Sequence, residues 1–148
     1  MGSFVAGKIS AIRWLAWFFA FVFFTVVLAG HIPGLTDVHG RICGLYSVTY
    51  IIDAGHFLAG VLAGVAAWHS TRWSIYYFRF IAIPFGIDAL LGIFFSRDLL
   101  ETGSVFWAGF GTADFDTLNV LKNTPHIILS CAALWIGYGL ARKYKADR

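Results

Sequence analysis

The segment Trp14–Gly30 reads WLAWFFAFVFFTVVLAG and contains no charged side chain. A helix needs about 20 predominantly apolar residues to cross the hydrocarbon core of a bilayer, and this segment comes close to that length. Lys8 and Arg13 give it a basic start that resembles a secretion signal. The apolar run is nevertheless too long, and too rich in Phe and Trp, for the core of a signal peptide. We therefore interpret it as a retained transmembrane helix.

Three further segments have the same character, so the sequence predicts four membrane spans. Pro33-Gly34 closes the first span, and Asn123-Thr124-Pro125 is typical of a helix start, with a capping residue before a proline. We predict an all-α fold, an integral membrane four-helix transmembrane bundle that forms a single domain over residues 1–148. The expected boundaries are spans at about residues 12–32, 52–69, 73–96 and 124–141, a tight turn at Ser70–Arg72, and a long outer loop at residues 97–122.

The composition excludes most other classes of protein. Hydrophobic residues make up 59% of the 148 residues and charged residues 13%, and the mean hydropathy is +0.74. Soluble domains carry roughly 25% charged residues, so this chain cannot cover a water-exposed surface. A soluble globular domain, a disordered chain and a disulfide scaffold are excluded. The expected partner is the lipid bilayer and not a nucleic acid, because the basic residues behind the net charge of +3 flank apolar spans.

The charges also orient the predicted bundle. Lysine and arginine concentrate before span one, between spans two and three, and after span four, whereas the predicted outer loop is acidic overall. By the positive-inside rule both termini are cytoplasmic, which agrees with an even number of spans. We expect a multi-pass protein of a bacterial cytoplasmic (inner) membrane. The basic residues on the cytoplasmic side are Lys8, Arg13, Arg72, Arg79, Arg142, Lys143, Lys145 and Arg148.

Polar side chains from several spans are expected at one depth, in the outer half of the bilayer. Ionisable residues within spans are costly and usually face the bundle interior. Such a cluster has two interpretations: polar packing between helices, or a functional site. The predicted intramembrane cluster consists of His31, Asp53, Asp88 and Asn123, together with His56 and His126.

Two histidines at one depth suggest cofactor binding. His56 and His126 could be the axial pair of a haem b, or each could hold one chlorophyll-type pigment. A His–Asp pair could instead relay protons or hold a quinone headgroup. No close ligand spacing supports a metal site.

Small residues mark one face of span two. His56, Gly60 and Gly64 recur every four residues, and Gly60-x-x-x-Gly64 is the pattern that lets helices approach closely. We predict a helix-packing role for both glycines, with cleared space for a macrocycle as the alternative. A weak internal echo is also present, because Asp53-x-x-His56 opens span two and Asn123-x-x-His126 opens span four. It is the pattern of a duplicated two-helix unit.

The chain resembles a family of small four-helix bacterial membrane proteins, loosely similar to the DoxX-like proteins. The resemblance rests on Gly30-His-Ile-Pro-Gly34, Gly44-Leu-Tyr-Ser-Val48, Asp53-Ala-Gly-His56-Phe-Leu-Ala-Gly60, Gly86-Ile-Asp-Ala-Leu-Leu-Gly92 and His126. It implies the four-helix fold and a cytoplasmic membrane, but that family lends no function. One departure is Ile52, where the family often has an additional histidine.

Three functions remain open from the sequence. The first is an accessory subunit that packs through Gly/Ala helix faces against other membrane subunits of a respiratory or photosynthetic complex. The second is a small haem- or chlorophyll-binding protein that uses His56 and His126. The third is a small-molecule or proton transporter that uses Asp53 and Asp88. Motifs of hydrolases, nucleotide-binding loops and c-type haem attachment are absent from the sequence, so an enzyme is not the favoured class.

Overall fold

The computed structural model describes residues 10–47, 49–95 and 115–144. Four helices in these ranges are long and apolar enough to cross a membrane, which suggests a multi-pass membrane protein. Helix α1 spans Ala11–Gly30, α2 Tyr50–His69, α3 Thr71–Phe95 and α4 Thr117–Leu134. The last helix continues through a π-helical turn, Trp135–Gly139, and a 3-10 turn, Leu140–Tyr144.

Side-chain caps set where three helices begin. Ser10 accepts a hydrogen bond from the backbone N–H of Arg13, and Thr49 accepts one from the N–H of Ile52. Asp116 accepts one from the N–H of Leu118 at the start of α4. Each cap satisfies a backbone donor that has no partner inside its own helix.

Two of the predicted boundaries are wrong. The fourth helix begins at Thr117 and not near residue 124, because Asp116 caps it and Pro125 lies inside the helix. Residues 117–122 of the predicted outer loop are therefore helical, and Asn123 is a buried side chain of α4 instead of its cap. The predicted turn at Ser70–Arg72 shrinks to Ser70 alone, since α3 begins at Thr71. Residues 97–114 of the predicted loop lie outside the described residues.

The helices pack as two hairpins. Helix α1 packs mainly against α2, and α3 packs mainly against α4; the hairpins meet where α3 contacts α2 and α1. Small residues of α2 and aromatic residues of α1 and α3 fill this core. Its members include Ala16, Ala20, Phe23, Ala59, Ala63, Ala67, Phe78 and Ile81.

A small antiparallel strand pair covers the link between α1 and α2. Strand β1, Arg41–Ile42, pairs with β2, Tyr46–Ser47. The Asp37 carboxylate accepts hydrogen bonds from the backbone N–H groups of Arg41 (2.9 Å) and His39 (2.8 Å). These bonds, the one from Arg41 first, hold the pKa of Asp37 below its ordinary value.

Charge divides the bundle into two ends. At the acidic end α1 and α3 finish and α2 and α4 begin, and it carries every aspartate of the described residues: Asp37, Asp53, Asp88 and Asp116. At the basic end α1 and α3 begin and α2 and α4 finish. Its cations are Arg13, Arg72, Arg79, Arg142 and Lys143.

Gly60 lies where α2 approaches α1 most tightly. A Cβ atom there would lie 3.2 Å from Phe23 Cβ and 3.2 Å from the Phe24 ring, whereas one at Gly64 would lie 3.5 Å from Trp17. We expect Gly60→Val to lower the free energy of unfolding by about 1–3 kcal/mol, because the added atoms force α1 and α2 apart. Denaturant unfolding in detergent micelles measures this. Ala54→Val, at an exposed position of the same helix, is the matched control, and an equal loss there would contradict the packing explanation.

Candidate functional site

Two His–Asp pairs lie at the acidic end. His31 Nε2 is 3.0 Å from Asp53 Oδ2, and His126 Nδ1 is 2.6 Å from Asp88 Oδ2. The first pair connects the end of α1 to the first turn of α2, and the second connects α3 to α4. Each pair therefore joins the two helices of one hairpin.

The two pairs differ in exposure. The side chains of His31 and Asp53 are 58% and 15% exposed, whereas those of His126 and Asp88 are 21% and 10% exposed. The His126–Asp88 contact is the shorter of the two. The outer pair is thus a contact at the surface, and the inner pair is a close His–Asp contact within the bundle.

Four rings, one from each helix, fill the centre of the acidic end. The centroid of His56 lies 6.3 Å from that of His126, 6.2 Å from Phe85 and 5.9 Å from Phe23. Phe85 also lies 5.4 Å from His126 and 5.2 Å from Phe23. His56 Nδ1 is buried, and no aligned hydrogen bond reaches it from the described residues. The His56–His126 contact is the place where titratable groups of the two hairpins meet.

Two asparagines of α4 fix the end of α3. Asn119 Nδ2 donates to the backbone carbonyl of Gly92 at 2.9 Å, and Asn123 Nδ2 donates to the carbonyl of Asn119 at 2.9 Å. Asn123 is only 2% exposed, and a Cβ atom at Gly92 would collide with its amide group. This contact lies one turn beyond Asp88 on α3, so it fixes the height at which His126 meets Asp88.

The structure brings most of the predicted cluster together. His56, Asp88, Asn123 and His126 lie within the bundle, and His31 and Asp53 lie at its rim. Gly60 and Gly64 face α1 and not the histidine pair.

Three participants in the site, Asn119, Phe23 and Phe85, were not predicted from the sequence. The four-residue spacing of Asn119 and Asn123 was a usable signal, whereas nothing distinguishes the two phenylalanines among the 15 in the chain.

The residues present do not fit a haem shared by the two histidines. Such a macrocycle has to lie between the imidazoles of His56 and His126. Phe85 packs against both rings, and Phe23 packs against His56 and Phe85, so side chains fill that space. Gly60 faces Phe23 and Phe24, which fill the space beside it. One pigment on each histidine stays a prediction.

A metal ion has no obvious binding place in the described parts of the chain. Within residues 10–47, 49–95 and 115–144, no three His, Cys, Asp or Glu side chains are grouped closely enough to hold one. The chemistry that this geometry does allow is proton exchange between imidazole and carboxylate.

The two His–Asp pairs should differ in their contribution to stability. We expect Asp88→Ala to lower the free energy of unfolding by roughly 3 kcal/mol, because it removes one partner of a buried pair. His31→Ala should cost less than about 1 kcal/mol, because its pair is exposed to solvent. Unfolding of both variants in the same detergent gives the comparison. Equal losses of unfolding free energy in the two variants would show that the inner contact stabilises the protein no more than the outer one.

The Gly92–Asn123 contact should make the stability effects of substitutions at the two positions non-additive. Gly92→Ala should cost about 1–3 kcal/mol, because its methyl group takes the place of the Asn123 amide. In the double variant with Asn123→Ala the clash is gone, so the loss should be smaller than the sum of the single losses. Additive losses in a double-mutant cycle would contradict this packing.

No family model matches the chain, and neither does any curated protein or any solved structure. The resemblance to the DoxX-like proteins is neither supported nor contradicted by these comparisons and stays a prediction. The function therefore has to be argued from the residues of the site.

Proposed function

We propose that this chain is a proton transporter of the membrane whose acidic-end cluster takes up and passes on protons. The observation that supports it most is the graded series of titratable groups at that end. An exposed His31–Asp53 pair, the half-buried His56 and the inner His126–Asp88 pair follow one another from the rim into the bundle.

The cost of such groups in a membrane favours a functional role. Ionisable side chains within spans are expensive, so those present are usually paired and usually mark ion or proton pathways. Imidazole is the side chain that ordinarily changes charge near neutral pH, which suits it to accept and release protons. Three imidazoles and two carboxylates at one end of four helices fit this chemistry better than they fit helix packing alone.

A proton entering at the rim has a short series of acceptors. The His31–Asp53 pair lies at the rim, and Asp53 lies one turn before His56 on α2. The His56 ring contacts that of His126, whose Nδ1 meets Asp88. We infer that protons pass along these groups in that order.

Protonation of both His56 and His126 would act on the contact between the hairpins. His56 belongs to α2 and His126 to α4, so their contact joins one hairpin to the other. Two imidazolium rings at this distance repel each other, and repulsion between them favours separation of the hairpins. Proton uptake would then change the packing between the two hairpins.

The orientation and location of the chain belong to the same proposal. All tryptophans of the described residues lie in the half of the bundle nearer the basic end, and those close to that end suit a membrane–water interface. They are Trp14, Trp17, Trp68, Trp73 and Trp135. Together with the cations at that end, they support cytoplasmic termini in a bacterial inner membrane, with the proton site facing outward.

The accessory-subunit hypothesis stays a prediction, although one of the surfaces that motivated it is used within the bundle. The Gly/Ala face of α2, including Ala59, Gly60 and Ala63, is buried inside the bundle. It is therefore engaged by the chain itself and is not offered to another subunit. Co-purification of larger membrane subunits in mild detergent tests this hypothesis independently of proton movement.

Proton flux in reconstituted vesicles tests the proposed function. We expect vesicles that contain the protein and an internal pH dye to dissipate an imposed pH gradient faster than protein-free vesicles. Asp88→Asn and His56→Gln should reduce this to the background leak, because each breaks the series at an internal step.

The matched control is His69→Gln. His69 stacks on Trp73 at the basic end, with ring centroids 5.3 Å apart, so its loss should leave the flux unchanged. A wild-type rate equal to the leak, or flux that survives in Asp88→Asn, would overturn the proposal.

A further inference from the structure

The basic end carries arginines whose hydrogen-bonding groups are only partly used within the bundle. Arg79 Nε donates to the carbonyl of Gly137 at 2.8 Å, and its guanidinium lies 4.9 Å from the centre of the Tyr138 ring. Arg72 Nε donates to the Tyr76 hydroxyl at 3.0 Å, with its guanidinium 5.5 Å from that ring. In both cases the bond to the bundle holds Nε and orients the terminal nitrogens.

Arg13, at the same end, differs because both its Nε and a terminal nitrogen are used within the bundle. Its Nε donates to the carbonyl of Ala67 at 2.7 Å, and its terminal Nη2 donates to the carbonyl of Trp68 at 3.0 Å. This guanidinium caps the last carbonyls of α2. Within the described residues, no such second bond is made by the terminal nitrogens of Arg72 or Arg79.

These groups form one stripe along the contact between α3 and α4. Arg72, Tyr76 and Arg79 follow each other at intervals of four and three residues, so they share a face of α3. Tyr138 and then Arg142 continue the pattern on α4, and both are exposed. We call these five residues the arginine–tyrosine stripe.

One end of the stripe lies at the depth of lipid headgroups. Trp73, next to Arg72, is exposed, and tryptophan at a membrane surface sits at the level of the headgroups. Arg79 lies about 9 Å along α3 from Trp73 toward the membrane centre, at 1.5 Å per residue. An arginine at that depth directs its charge back toward the interface.

The stripe has no acidic counterpart in the described part of the chain. Every aspartate described lies at the acidic end, and residues 10–47, 49–95 and 115–144 contain no glutamate. A guanidinium fork with unused donors pairs best with an oxyanion such as a phosphate. Basic pockets between transmembrane helices are typical sites for anionic lipid headgroups.

We propose that the arginine–tyrosine stripe binds the phosphate of an anionic phospholipid between α3 and α4. The terminal nitrogens of Arg72 and Arg79 donate to the phosphate oxygens, while Tyr76 and Tyr138 hold the two guanidinium planes. The acyl chains then lie along the exposed apolar surface of α3. This site is separate from the His–Asp cluster and does not depend on the proposed transport function.

Native mass spectrometry with defined lipids tests the site. The protein in detergent is exposed in parallel to phosphatidylglycerol and to phosphatidylcholine, and the ratio of the two apparent affinities is measured. We expect the wild-type chain to prefer phosphatidylglycerol. Arg72→Gln and Arg79→Gln should each reduce that preference about fivefold, since an arginine near the surface is worth about a factor of this size.

Three control variants make the result specific. Arg41→Gln removes a cation from the acidic end, and Arg13→Gln removes the structural arginine; both should keep the preference. Arg79→Lys keeps the charge but loses the fork, so its preference should be intermediate. If Arg79→Gln does not fold, Arg72→Gln at its exposed position still tests the stripe.

Two results would overturn the proposal. One is a double variant, Arg72→Gln with Arg79→Gln, that prefers phosphatidylglycerol as strongly as the wild-type chain. The other is displacement of bound phosphatidylglycerol by inorganic phosphate, measured in detergent that contains no further lipid. The site would then recognise a free anion and not a lipid. Failure of phosphate to compete, with loss of preference in the double variant, supports a lipid site.

Discussion

The structure depends on one constraint: a polar side chain between apolar helices must find its partner within the protein. Among the described residues, five side chains meet it in the same way, by donating to a backbone carbonyl of a neighbouring helix. Arg13 bonds to the end of α2, Ser74 to the carbonyl of Ala66, Asn119 to the end of α3, Ser130 to the carbonyl of Ala82, and Arg79 to the carbonyl of Gly137. Three of these five bonds join α3 to α4. Polar side chains thus fix the second hairpin, whereas apolar packing dominates the first.

Glycine has two different uses in this arrangement. On α2, Gly60 admits the rings of Phe23 and Phe24, which is ordinary close packing between helices. On α3 and α4, glycines make room for polar side chains: a Cβ atom at Gly86 would lie 2.9 Å from Ser130 Oγ, and one at Gly137 would lie 3.0 Å from Arg79 Cγ. A small-residue pattern in a membrane sequence therefore does not by itself predict a contact with another subunit.

The sequence predicted the helices better than their ends. Length and hydropathy are properties of whole segments, so four candidate spans and the shared level of His56, Asp88 and His126 could be inferred from them. The start of α4 could not, because Asp116 and Asn119 have the composition of a loop until the partners of their side chains are known. Asp116 bonds to the N–H of Leu118, and Asn119 bonds to α3. The role of Phe85 was equally hidden, since only its position between two imidazoles distinguishes it from other phenylalanines.

The placement of the titratable groups connects the two hairpins to proton chemistry. Each His–Asp pair lies inside one hairpin, so a proton that moves within a pair leaves the charge of that hairpin unchanged. The rings around His56 are those of Phe23, Phe85 and His126. His56 meets His126 across the boundary between the hairpins. A second proton on this contact therefore changes the force between hairpins and not within them. Because the apolar rings of Phe23 and Phe85 surround the contact, little water screens that force. A change of protonation at the acidic end therefore acts on the packing between the two hairpins.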